Sequence, residues 1–164
     1  MKGNVLTVER VVPAPPDAVF DILADVNRHH LIDGSGMLRG VADAAPGRLA
    51  LGTTFGMGMK MLVKYSTVNK VVEFEDNRRI AWKTGPPGFM GKLVAGRVWR
   101  YQLTPVDGGT LVRESWDITS DHQRVLLKLG DIWSGKTRRD MERTLERLGA
   151  LVGADRVRDV SDGT

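Results

Sequence analysis

Between residues 37 and 119 the chain carries no helical periodicity, only short alternating apolar runs. It then closes on a long amphipathic segment in which Met141, Leu145, Leu148 and Val152 recur every three or four positions. That order restricts the fold severely. Six consecutive strands must bury one face, and the last helix is the only element long enough to cover a sheet of that size. The strands are expected over 37–44, 51–60, 64–75, 79–84, 96–105 and 109–119. Ala45-Pro46-Gly47, Glu75-Asp76-Asn77 and Asp107-Gly108-Gly109 supply turn chemistry, whereas the turn near 61–63 has neither Gly nor Pro. The stretch Gly-Pro-Pro-Gly-Phe-Met-Gly over 85–91 is longer than a hairpin turn and carries two apolar residues suited to covering an opening.

A seventh strand precedes these, because residues 4–12 alternate with Leu6, Val8 and Val12 on one face. Pro13, Pro15 and Pro16 stop it, and Val19, Phe20, Leu23 and Val26 then follow at helical spacing. Asn27 to Leu31 extends this by another turn or two before the loop Asp33-Gly34-Ser35-Gly36. Past Ser120, Val125, Leu126 and Leu129 form one helical side; Gly130 is the expected break and Ser134 the expected cap of the longer helix. Arg139, Asp140, Arg143 and Arg147 occupy the outer side of that helix, and the polar tail from Gly153 is expected to fray. The reading is an α+β helix-grip fold. A curved seven-stranded antiparallel sheet wraps a long C-terminal helix, two short helices join strands 1 and 2, and a cavity remains at one end. One domain is expected over 1–152 with a tail over 153–164.

A chain of 164 residues suits one domain that buries roughly two-thirds of its unfolded surface. The absence of cysteine removes disulfides, thiolate nucleophiles, iron–sulfur ligation and Cys-type zinc sites. The N-terminus reads as a strand rather than a signal peptide, and no run approaches the roughly 18 apolar residues of a membrane span, so the expected location is the cytoplasm. The formal charge is +4, but 24 basic and 20 acidic residues are interspersed. Arg78, Arg79, Arg138, Arg139, Arg143 and Arg147 lack an accompanying set of stacking aromatics, so no nucleic-acid partner is expected.

Four stretches, VERVVPAPPDAVFDILADVNRH, KVVEFEDNRRIAWKT, WRYQLTPVDGGTLVRESWDI and MERTLERLGALV, taken with the order of elements, resemble the SRPBCC superfamily. This helix-grip group includes START lipid-binding domains, birch-pollen-allergen-like proteins and polyketide cyclase/dehydrase-like proteins, and the chain looks closest to bacterial members of the last kind. The resemblance covers roughly residues 4–152. It implies a pocket; its motifs mark strands and turns rather than a shared catalytic set.

Strand parity nominates the wall of that pocket. Trp99, Tyr101 and Leu103 share one face of their strand; Val112, Glu114, Trp116 and Ile118 share one face of the next. A carboxylate on an apolar face must be paired, hydrogen-bonded or raised in pKa, and any of these suits proton transfer or the orientation of a ligand hydroxyl. A structural pairing of Glu114 with Arg97 or the Tyr101 hydroxyl outweighs catalysis. Met57 and Met59 lie on a methionine-rich face that fits an irregular apolar ligand or simply fills core, and Tyr65 and Trp82 add polar handles. Met141 on the last helix completes the candidate ligand set.

His29 and His30 precede Asp33, but adjacent side chains diverge and His122 is distant, so a solvated or capping role outweighs metal binding. Neither a Gly-x-Ser-x-Gly elbow nor a phosphate-binding loop occurs. The expected function is binding of a small, largely apolar ligand, lipid-like or polyketide-like, with no cofactor or metal, by a monomer or homodimer. One alternative is a cyclase or dehydratase using Glu114, Tyr101, Arg97 or His30. Another is a regulatory protein-interaction module using the basic face.

Overall fold

β-Branched and aromatic residues at alternate positions make strands wherever turn residues bound them, and seven result: β1 Val5–Val12, β2 Leu38–Val41, β3 Thr54–Lys60, β4 Lys64–Glu75, β5 Arg79–Gly85, β6 Arg97–Val106 and β7 Gly109–Asp117. The computed structural model describes residues 3–41, 47–60, 64–88 and 96–162, without the side chains of 41, 64, 65, 132–134, 159, 160 and 162. Helices α1 Pro16–Ala24 and α2 His29–Ile32 lie between β1 and β2, joined by a 3-10 turn at Val26–Arg28; α3 Arg124–Ser134 and α4 Lys136–Asp162 follow β7. The strands form one antiparallel sheet in the order β1-β7-β6-β5-β4-β3-β2, curled into a half-barrel around α4. This is the α+β helix-grip fold.

Pro16 opens α1 without needing its missing N–H, and Val19, Phe20, Ile22, Leu23 and Ala24 are buried. α4 buries Met141, Leu145, Leu148 and Val152 and packs mainly against β1, α1 and α2. The loop between α2 and β2 is pinned to α4 at Gly34, whose N–H donates to Thr144 Oγ1 at 3.0 Å. A Cβ at Gly34 would stand 2.0 Å from the Asp140 carbonyl oxygen, so only glycine allows this approach.

Two local expectations are corrected. α3 continues through Gly130 and ends at Gly135, which takes a left-handed conformation (φ 55°) that a residue with a side chain rarely adopts. The Ser134 side chain, expected to cap the longer helix, lies outside the described residues; Asp131 Oδ1 accepts from the Thr137 N–H in the first turn of α4 at 3.2 Å. The polar tail expected to fray from Gly153 is helical through Asp162, because Asp155 pairs with Arg28 and Arg156 donates to the Pro13 carbonyl at 2.9 Å. On α3, Val125, Leu126 and Leu129 face solvent, and Leu127 is the residue that packs on the core.

The register sets two unlike ends. The starts of β1, β2, β4 and β6 and the ends of β3, β5 and β7 share one end. At the other end the inward side chains Val12, Ile80, Leu103 and Val112 are buried. At the first end, on β3 to β6, Met57, Met59, Thr67, Thr84, Arg97 and Trp99 remain half-buried.

Candidate ligand site

Directly opposed residues of antiparallel strands share a face, so the register lays out the inner wall in rows. One row runs Leu6, Trp116, Trp99, Trp82 and Val71, and the next runs Val8, Glu114, Tyr101, Ile80 and Phe74. Trp99 and Trp116 lie with ring centroids 6.1 Å apart, and Trp82 and Tyr101 lie 5.5 Å apart. Trp99, Tyr101, Glu114 and Trp116, nominated by strand parity, and Trp82, expected as a polar handle, therefore form one continuous surface.

Glu114 sits within it at 2% exposure. The Tyr101 hydroxyl donates to its Oε1 at 2.8 Å, while Oε2 is buried without a hydrogen-bond partner among the described residues. Burial pushes the Glu114 pKa up to about 8, against the lowering effect of the Tyr101 hydrogen bond, and the nearby Asp33 charge raises it further. The neutral acid is thus the form present at pH 7, and its proton belongs on Oε2 because Oε1 is already an acceptor. Burial likewise holds the Tyr101 hydroxyl well above its usual pKa, reinforced by Glu114.

His29, for which the sequence reading expected a solvated or capping role, is buried and adds a polar atom to this wall. Its ring stacks on Trp82 at 5.1 Å and meets Phe55 edge-on at 6.0 Å. Nε2 lies 2.9 Å from the Leu23 carbonyl and must donate to it, which leaves Nδ1 as a buried acceptor without a partner among the described residues. Burial lowers the His29 pKa, so the ring is neutral.

A third row, closer to the half-buried end, runs Arg97, Thr84, Asn69 and Phe55. Thr84 Oγ1 donates to Asn69 Oδ1 at 2.7 Å. Arg97 Nε donates to Asp121 Oδ2 at 3.1 Å, so Arg97 pairs with Asp121 rather than with Glu114. Parity in β4 places Asn69 inward with Val71, but Asp121 lies in a turn beyond β7 and has no strand pattern to announce it.

Of the remaining candidates, Met57 and Met59 are half-buried on the inner face of β3, and Met141 is sealed in the core. The Tyr65 side chain lies outside the described residues. His30 is exposed. The four acid/base candidates thus separate: Glu114 and Tyr101 meet, whereas Arg97 and His30 are elsewhere. Among the described residues no three His, Asp or Glu side chains stand close enough to hold a metal ion. A shallow, open cleft lined by Pro13 to Pro16, Gly108, Gly109 and Arg156 shares no residue with the inner wall. Residues 61–63 and 89–95, including the apolar Phe89 and Met90 expected to cover an opening, lie outside the described residues.

The family model described as "Polyketide cyclase / dehydrase and lipid transport" matches residues 5–153. An uncharacterized protein of Mycobacterium tuberculosis, Rv0088, is 32% identical over 130 residues, covering 71% of this chain and 54% of that protein. The chain spans about half the length of the curated relatives it matches. A solved structure of a protein from Arthrobacter aurescens superposes with a TM-score of 0.70 at 13% identity, over 93% of this chain and 88% of that one. DynU16, from the dynemicin biosynthetic locus, superposes at 0.57 with 15% identity, over 92% of this chain and 47% of that one. These likenesses at low identity show the fold, and the family match extends over nearly the whole of it. The chain belongs to the polyketide cyclase/dehydrase and lipid transport family of the SRPBCC superfamily.

Proposed function

We propose that the chain binds a small, largely apolar ligand, lipid-like or polycyclic, between the inner face of β3 to β6 and α4. The observation that carries this reading is the gradient of burial along one face. Ile80, Leu103 and Val112 are sealed at one end, while Trp99, Met57 and Met59 stay half-buried at the other. An apolar surface that the fold itself leaves partly uncovered gains free energy when a ligand covers it, at roughly 25 cal/mol per Å². Thioether and indole groups suit a ligand of irregular shape. The family description, and the origin of one structural relative in a biosynthetic locus, agree with such a ligand.

Turnover of the cyclase or dehydratase kind would have to rest on Glu114 and Tyr101 alone, since Arg97 is engaged by Asp121 and His30 is exposed. Both members of that pair are buried, and binding is the reading the geometry supports best. The basic residues of α4 lie within reach of acids of their own helix, Arg138 with Glu142 and Arg143 with Asp140, each at 3.8 Å. That leaves little for an interaction module built on a basic face.

Native mass spectrometry of protein purified from its own host tests the reading directly. A copurified small molecule, released on Trp99→Ala with the circular dichroism spectrum retained, is the expected result. A chain that carries no molecule and whose tryptophan emission is unmoved by fatty acids and polycyclic aromatics would overturn it.

A further inference from the structure

Arg97 stands on the same face of β6 as Trp99 and Tyr101, at the half-buried end of the wall, with its side chain 29% exposed. Two features hold it in place. Asp121 is completely buried, takes the Arg97 Nε–H on Oδ2 at 3.1 Å, and takes the Gln123 backbone N–H on Oδ1 at 2.8 Å. Gly96, just before Arg97, lies so close to the turn after β7 that a Cβ would stand 2.2 Å from the Ser120 carbonyl oxygen and 2.4 Å from Asp121 Cα. The backbone at the start of β6 is therefore clamped onto the segment that supplies the carboxylate, and the guanidinium is oriented before any ligand arrives.

Only Nε is used in this arrangement. A guanidinium offers five N–H donors in a planar fork, and the four on the terminal nitrogens have no hydrogen-bond partner among the described residues. In the strand register Arg97 opposes Thr84, whose hydroxyl is spent on Asn69. The next inward residue of β6 is Trp99, which opposes Trp116. Arg124, whose backbone N–H bonds the Asp121 carbonyl at 3.1 Å, adds an exposed cation beside the turn.

We infer that Arg97 receives the anionic end of the ligand, a carboxylate or phosphate held by the terminal guanidinium nitrogens, while the apolar body lies along Trp99 and Trp116. The inference rests on the ligand-binding reading above and narrows it to amphipathic acids. A fork positioned by a second carboxylate gives directional, charge-assisted hydrogen bonds that an alcohol or ester cannot reproduce. Asp121 acts as a positioning residue through Nε, and it also offsets part of the charge that the ligand meets.

The test is a tryptophan-quenching titration with dodecanoate and with methyl dodecanoate, which share an apolar body and differ in charge. The wild-type protein is expected to prefer the acid by about tenfold or more, in line with the strength of charge-assisted pairs. Arg97→Met should abolish that preference while leaving the ester affinity unchanged. Asp121→Asn, which has one acceptor oxygen for the two N–H groups the carboxylate holds, should loosen the fork and reduce the preference for dodecanoate while leaving the ester unaffected. Equal affinity of the wild-type protein for the two probes overturns the role of Arg97 and leaves the broader reading standing. Binding of neither probe overturns both. Because the wild-type comparison needs no variant, misfolding of Arg97→Met does not rescue the inference.

Discussion

Folding raises the pKa of Glu114 to about 8, mainly by burial, so the native state keeps a proton that the unfolded chain gives up above about pH 4.3. The sign follows from that difference. The contribution of this group to stability is complete below about pH 4.3 and is lost as pH climbs through about 8. His29 works in the opposite direction, since its lowered pKa penalises the native state as pH falls below about 6.5. Glu114→Gln is therefore expected to flatten the decline of thermal stability between pH 5 and pH 8 while leaving the loss on acidification; melting followed by circular dichroism across that range checks it. An unchanged decline would show that Glu114 is charged in the native protein. The inward position of Glu114 was legible because alternation in β7 assigns it the face of Val112 and Trp116. The unpartnered state of Oε2 and the burial of His29 were not, because both depend on which side chains from distant segments close over them. Adjacent His29 and His30 look equivalent in sequence, yet a helix turns about 100° between them and only one faces Trp82.

Among the elements, α4 shows where local pattern stops informing. Its apolar stripe ends at Val152, and polarity beyond that point reads as a loose end. The last turns are held by polar contacts to partners more than a hundred residues away, Arg28 and Pro13, and no periodicity within the segment encodes these. A chain ending at Gly153 is expected to lose about 1–2 kcal/mol, the scale of one partly buried ion pair and one hydrogen bond from a charged donor. Urea denaturation of the two chains measures it, and coincident midpoints would show the last turns to be idle. The break between α3 and α4 carries the same lesson. Gly130 and Gly135 are equally permissive glycines, and the difference is that the Gly135 N–H reaches the Asp131 carbonyl at 2.7 Å while Asp131 caps the next helix.

Over the whole molecule, the sheet and its closing helix were readable because two signals of different period, alternation over 37–119 and heptad-like spacing after Met141, agree on one architecture. The site was readable as a wall but not as a gradient, since exposure depends on where α4 stops covering the sheet. Native-state hydrogen exchange is expected to be slowest in β1, β6 and β7, which pair in continuous register on the side of the sheet where β1 packs against α4, and fastest in β2, which joins β3 through an irregular register. Comparable protection across all seven strands would contradict this ordering. The register of β1 with β7 reaches beyond stability. Val5 opposes Asp117 and Val12 opposes Thr110, so β1 has its strand neighbour encoded about a hundred residues later. For most of synthesis Leu6, Val8 and Val12 have neither their strand nor the helix that covers them. The half-barrel closes only when its C-terminal third has emerged, which makes the nascent chain, rather than the finished protein, the stage at which an apolar N-terminal strand is open to chaperones.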